Sequence, residues 1–278
     1  MDTIKVNNRW RINSKLGSGS FGEVYTATCE KRKNEVAVKM ETREKDSPRQ
    51  LEYEYRVYKY LKKKALPCVP SIYWYGQSKD YNFLVMEKLG PSLEVLLKNC
   101  GGKISEKEVA VLGILGFRSL EKIHKTGIIH RDIKPQNVCM HPTGGKILYF
   151  IDFGLCKKIT DKNGMHIQFR KNKQLTGTPR FCSMRTMMGI EQTRRDDIEG
   201  WLFCLFYFLR GTLPWQGLDL SKKKKHAKIL EMKQIVTTKE LTCGFHPVWT
   251  KLLETTRNLN FDEEPPYRDY EKWLSKLL

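Results

Sequence analysis

His130-Arg131-Asp132-Ile133-Lys134-Pro135-Gln136-Asn137 and, fifteen residues beyond Asn137, Asp152-Phe153-Gly154 are the stretch on which the fold turns. The first block fits the pattern H-R-D-x-K-x-x-N in full. Short strand-like pieces at 137–140 and 147–151 lie between the two blocks. Upstream, the apolar spacing predicts a helix over 92–99 and a long one from 105 to 125. Downstream, helical patterns dominate. Trp201-Leu202-Phe203-Cys204-Leu205-Phe206-Tyr207-Phe208-Leu209 is apolar all round, which fits a central core helix.

Toward the N-terminus the period changes. Residues 10–17, 22–29 and 34–41 alternate as consecutive strands, with Gly-Ser-Gly-Ser and Lys-Arg-Lys-Asn at the turns. Residues 48–64 follow a Ser47-Pro48 start and read as a helix carrying Leu51, Tyr55, Tyr58 and Leu61. Strands return at 71–77 and 82–88. The expectation is an α+β chain, with a small β-rich N-lobe holding one main helix and a larger, mostly helical C-lobe. The join falls near Met86 to Gly90, which puts the lobes at about 1–88 and 89–278 of one domain over 1–278. No internal repeat or low-complexity linker interrupts it.

Two N-terminal segments carry chemistry. Gly17-Ser18-Gly19-Ser20-Phe21-Gly22-Glu23-Val24 fits G-x-G-x-x-G-x-V. Glycines there let a backbone approach phosphate oxygens and offer N–H donors. Such patterns also mark dinucleotide folds, but these glycines sit between two strands rather than between a strand and a helix. Val36-Ala37-Val38-Lys39 then places a lysine on the third strand, suited to α- and β-phosphates. A carboxylate must hold it. The following helix offers Glu52 and Glu54, and Glu54 is favoured.

In this order and spacing the four motifs resemble the protein-kinase signatures. The resemblance implies the bilobal kinase fold and transfer of the γ-phosphoryl group of ATP, with Mg²⁺, to protein hydroxyls. It implies that Asp132 orients or accepts the proton of the attacking hydroxyl. Lys134 then offsets charge on the transferring group, while Asn137 and Asp152 hold magnesium through hard oxygen ligands. Lys39, positioned by Glu54, fixes the α/β-phosphates. ATP contacts are implied for Leu16, Gly17, Ser18, Gly19, Ser20, Phe21, Gly22, Val24, Ala37, Lys39, Glu54, Met86, Glu87, Leu89 and Asp152. Asp197 is expected to anchor the catalytic-loop backbone from a buried helix.

A second set of blocks is similar to the casein kinase I family: Met86-Glu87-Lys88-Leu89-Gly90-Pro91-Ser92-Leu93, Leu175-Thr176-Gly177-Thr178-Pro179-Arg180-Phe181, Gly189-Ile190-Glu191-Gln192-Thr193-Arg194-Arg195-Asp196-Asp197 and Leu213-Pro214-Trp215-Gln216-Gly217-Leu218. The similarity runs from Trp10 to the C-terminus. The chain departs from the family at Gln136, Pro179, Phe181 and Ser183-Met184-Arg185, near the expected substrate-docking surface. This resemblance implies serine/threonine specificity and a preference for acidic or phosphorylated substrates. The matching anion site would include Arg180 and, across a one-residue gap, Lys225. A second cluster, Arg131, Lys157 and Lys173, would hold an anion beside the activation segment. The run Lys222 to Lys225 reads equally well as a solvated face or a nuclear-import patch.

Bulk properties bound the rest. With 40% hydrophobic and 29% charged residues, the chain reads as globular. Its longest strongly apolar run is far below the ~20 residues of a membrane-spanning helix, and the N-terminus carries no signal-peptide stretch. The expected location is therefore cytoplasmic or nuclear. Eight scattered cysteines without a Cys-x-x-Cys pair read as free, mostly buried thiols. The net charge of +19 suits acidic or phosphorylated protein substrates, a nucleic acid, or an anionic surface. Module signatures and interleaved aromatics for nucleic acid are missing, so the expectation is a monomer acting on proteins, without membrane or nucleic-acid partners.

Overall fold

Side chains of a β-strand alternate between its two faces, so a sheet needs a covering on each face that carries apolar residues. The computed structural model describes residues 4–19, 22–43 and 50–278. Its N-terminal part is a six-stranded antiparallel sheet. The strands are β1 (Lys5–Val6), β2 (Trp10–Gly19), β3 (Gly22–Cys29), β4 (Glu35–Thr42), β5 (Ile72–Gln77) and β6 (Tyr81–Glu87), in the order β1-β2-β3-β4-β6-β5. Every strand expected in this region forms, with ends shifted by at most two residues. β1 escaped the pattern because two residues are too few to show a period.

Central strand β4 divides its residues between core and site. Val36, Val38 and Met40 join Trp10, Ala27, Cys29, Phe83 and Val85 in a core on one face. Ala37, Lys39 and Glu41 therefore point to the other face, where α1 (Gln50–Lys63) lies. Glu41 Oε1 accepts from the backbone N–H groups of Gln50 (3.1 Å) and Leu51 (3.0 Å). These are donors that a helix start leaves unpaired, so a strand carboxylate fixes the first turn of α1. The proposed Ser47-Pro48 start lies outside the described residues. On β3 beside Glu41, Gly22 has a φ of 134°, and a Cβ there would lie 2.0 Å from the Met40 carbonyl oxygen. Only glycine fits so close an approach.

The described residues through Gly90, with Met140–Gly145 and Tyr149–Gly154, form one compact unit. Pro91–Cys139, Lys146–Leu148 and Leu155–Leu278 form the other. The second unit begins with α2 (Leu93–Asn99) and α3 (Glu106–His124), the latter opened by a Ser105/Glu108 capping box. The short strands β7 (Ile128–Ile129), β8 (Val138–Met140), β9 (Leu148–Phe150) and β10 (Lys157–Lys158) follow, with β7 and β10 paired antiparallel. Then come α4 (Met184–Met187), α5 (Arg194–Arg210), α6 (Lys222–Ile235), α7 (Thr238–Leu241), α8 (Val248–Asn258) and α9 (Tyr267–Leu274). A sheet with one main helix followed by a helical region is the architecture expected from the sequence.

From Trp201 to Leu209, α5 is buried on every side apart from a half-buried Tyr207, as its all-round apolar sequence implied. Among the described residues no helix is long and apolar enough to cross a membrane. All eight cysteines are free thiols, and six are buried.

Packing of α3 on α5 leaves no room for a side chain at Gly116, where a Cβ would fall 2.2 Å from the buried Trp201 indole. Gly116→Ala gains ~1 kcal/mol of helix propensity, yet overpacking of a dense core costs about 1–3 kcal/mol. A net fall in Tm is expected by thermal denaturation; an unchanged or higher Tm would show that the indole yields freely.

Candidate active site

Lys39 and Glu41 share the α1 face of β4, and Glu54 is buried on α1 opposite them. Lys39 Nζ donates to Glu54 Oε2 at 2.7 Å and to Asp152 Oδ1 at 2.8 Å. Burial would lower the pKa of this ammonium, but the Glu54 and Asp152 carboxylates outweigh it, so Lys39 stays charged. Burial pushes the Glu54 carboxyl above its ordinary value, a shift that Lys39 opposes and the Asp152 carboxylate adds to. Glu52, the other candidate, pairs instead with Arg56 on the exposed side of α1. Asp152 has a φ of 65°, a left-handed conformation that costs about 1 kcal/mol or more for a non-glycine residue. It is held there from three directions: its N–H donates to Tyr58 Oη at 3.2 Å, its carboxylate binds Lys39, and Gln50 Nε2 donates to the Gly154 carbonyl at 2.7 Å.

In the glycine-rich segment, Gly17 pairs with Val24 and Gly19 with Gly22 across β2 and β3. Ser20 and Phe21 lie outside the described residues. Among the described residues, a Cβ at Gly17 or Gly19 would meet no atom within 4 Å, so packing against them does not demand glycine at either position. Leu16 is exposed, Ser18 sits opposite Glu23, and Ala37 is buried opposite Met86. Glu87 Oε2 accepts from the Ser71 N–H at 3.0 Å, and Leu89 is half-buried beyond it.

The second unit holds the remaining catalytic candidates. Asp132 is buried; its Oδ2 accepts from Lys134 Nζ (2.6 Å) and Asn137 Nδ2 (3.2 Å), and its Oδ1 from Thr178 Oγ1 (2.7 Å). Asn137 Nδ2 also donates to the Asp132 carbonyl at 3.0 Å, which turns the amide oxygen away from Asp132. Thr178 reaches the carboxylate because Gly177, with a φ of 101°, passes so close to Arg131 that a Cβ would lie 2.4 Å from its carbonyl oxygen.

Asp197 on α5 anchors the loop. Its Oδ2 accepts from the His130 N–H (2.6 Å) and its Oδ1 from the Arg131 N–H (2.9 Å). His124 Nε2 lies 2.9 Å from Oδ2, and Tyr267 Oη lies 2.5 Å from Nδ1. Burial pushes Asp197 up, but these hydrogen bonds and the two imidazoles outweigh it and hold its carboxyl below the usual range.

The anion candidates divide into two places. Lys157 and Lys173 lie 2.9 and 3.7 Å from the buried Glu191 carboxylate. Burial would raise Glu191, but Lys157, Lys173 and the nearby Arg131 prevail and keep it low. Arg131 Nε itself donates to the Leu155 carbonyl at 2.6 Å. The chain thus supplies a carboxylate of its own to this cluster. Arg180 and Lys225 line a pocket of about 460 Å³, shared with Lys134, His226, Trp215 and Ile229.

Residues 10–264 match the family model described as the protein kinase domain. The chain belongs to this family. As a protein kinase it phosphorylates protein substrates, and kinases use ATP with Mg²⁺ as phosphoryl donor. Each unit contains a hard oxygen donor of the kind magnesium takes, the Asp152 carboxylate in the first and the Asn137 amide oxygen in the second.

Sequence reasoning missed Thr178 on Asp132, Glu191 among its cations, and the His124–Tyr267 support of Asp197. The Thr178 and Glu191 contacts join residues far apart in the chain, and no local pattern marks them. His124 had a weaker signal, a histidine closing the helix just before the H-R-D block.

In this kinase, Asp132→Asn should lower kcat by about 10²–10⁴-fold, the range of a positioned general base, with the KM for ATP little moved. Steady-state kinetics decide it. Near Asp132, Ser183 Oγ donates to buried Asp196 at 2.5 Å, and burial pushes Asp196 from the ordinary 3.8 up to about 6. Between about pH 4 and pH 6 the folded kinase retains a proton that the unfolded chain has lost, so this group's contribution to stability falls as pH rises. Asp196→Asn should remove that slope, so the Tm difference from wild type varies between pH 4 and 6 and levels off above pH 7. A constant difference throughout would rule out titration of Asp196 there.

Proposed function

We propose that this kinase is a serine/threonine kinase of the casein kinase I type, acting on acidic or already phosphorylated proteins. The observation that carries the proposal is the pocket lined by Arg180 and Lys225. Lys134 and His226 also line it, and no aspartate or glutamate does. A phosphoryl group offers three strong acceptor oxygens and most of two negative charges, which a guanidinium and an ammonium lining one pocket would bind through charge-assisted hydrogen bonds. The +19 net charge favours the same class of substrate.

In the proposed reaction Asp132 receives the proton of a serine or threonine hydroxyl, whose oxygen bonds to the γ-phosphorus as the bond to the β-phosphate oxygen breaks and ADP leaves. Lys134, already on Asp132, offsets charge on the group in transfer. Lys39 would hold the α- and β-phosphates, and Asn137 and Asp152 would hold magnesium. The ion, when bound, neutralises phosphate charge.

Arg180→Ala tests the substrate class. A charge-assisted hydrogen bond is worth about 1.5–3 kcal/mol, so kcat/KM for a peptide with a phosphoserine upstream of the acceptor should fall about 10- to 100-fold. The unphosphorylated peptide should lose much less. Equal losses on the two peptides would remove the pocket as a recognition site.

A further inference from the structure

Lys233 on α6 is 1% exposed, and Glu199, the carboxylate that acts on it electrostatically, is itself paired with Arg257 at 3.0 Å. Nζ instead donates to the Pro179 carbonyl at 2.8 Å and the Cys182 carbonyl at 2.5 Å. It also lies 4.7 Å from the Phe203 ring centroid and 5.1 Å from that of Trp215. Trp215 Nε1 donates to the Arg180 carbonyl at 2.8 Å. Lys233 and Trp215, themselves in cation–π contact, thus hold three carbonyls of the segment 179–182 that carries Arg180. A buried ammonium is costly unless its surroundings replace water, and burial does lower the pKa of this one. A position that only had to be filled would be served by methionine.

Spacing along α6 gives the clamp a consequence. Lys225, Ile229 and Lys233 follow at intervals of four and share one helix face. The first two line the anion pocket, and the third grips the loop that carries Arg180. One rigid helix therefore sets the position of Lys225 and, through Lys233, that of Arg180.

We infer that Lys233 is a positioning residue for phosphosubstrate recognition, holding Arg180 in register with Lys225 through the carbonyls of Pro179 and Cys182. This rests on the pocket being the phosphate-recognition site proposed above. The test compares kcat/KM on a phosphoserine-bearing peptide with that on its unphosphorylated counterpart, for wild type, Lys233→Met, Arg180→Ala and the double variant. Trp215→Phe, which keeps an aromatic ring, though a smaller one, and removes the N–H, serves as an independent probe should Lys233→Met fail to fold.

Lys233→Met is expected to lower the phosphorylated-to-unphosphorylated ratio about tenfold and Trp215→Phe about threefold. In the Arg180→Ala background, Lys233→Met should add no further loss of ratio, because residues acting through one another are not additive. A ratio unmoved by Lys233→Met or, where that variant does not fold, by Trp215→Phe overturns the inference while the pocket reading stands. So does an additive loss in the double variant, which marks a structural role. A ratio unmoved by Arg180→Ala overturns the pocket reading, and the inference with it.

Discussion

The buried carboxylate of Asp197 is the constraint on which the catalytic loop depends. It takes the N–H groups of His130 and Arg131 into its two oxygens, and Arg131 has a φ of 68°. A non-glycine residue keeps such a conformation only where its surroundings over-determine it. Here the carboxylate fixes the backbone before the turn, and the Arg131 guanidinium fixes the side chain on the Leu155 carbonyl. Asp132 follows directly, so its direction and the reach of Lys134 and Asn137 to it are inherited from a helix in the core. His124 and Tyr267 extend the support from α3 to α9, so the chemistry rests on three helices rather than on the loop itself.

Buried charge is handled in three ways in this kinase. Lys39 is stabilised by two carboxylates, those of Glu54 and Asp152. Glu191 is stabilised by Lys157 and Lys173 with Arg131 nearby, so a carboxylate fixed in the chain ties β10 and the segment around Lys173 together. Lys233 has carbonyl dipoles and aromatic faces as its direct partners. The first two arrangements gather opposite charges at a junction between segments. The third secures the backbone of the segment 179–182.

The segment 177–183 is held by many small attachments. Gly177 packs on Arg131, Thr178 binds Asp132, and the carbonyls of Pro179, Arg180 and Cys182 are taken by Lys233 and Trp215. Ser183 then caps α4 and donates to Asp196, which itself caps α5. The Ser183-Met184-Arg185 sequence that departs from the related blocks is thus a helix start with its own partners.

The sequence by itself determined the strands of the sheet, the long helices, the largely buried α5 and the short motifs that carry Lys39, Asp132, Asn137 and Asp152. These are local facts: strand and helix periods are written in neighbouring residues, and the motifs are short contiguous patterns. It also placed Asp197 as the anchor of the loop. The sequence favoured Glu54 over Glu52 as the partner of Lys39, and the tertiary structure decided it, because the choice depends on which face of α1 turns toward β4. Only the tertiary structure decided that Glu41 starts α1, Thr178 reaches Asp132, Glu191 joins the Arg131–Lys157–Lys173 cluster and Lys233 grips the Arg180 segment. Each joins elements distant in sequence, and their meeting is set by packing, which no local pattern records.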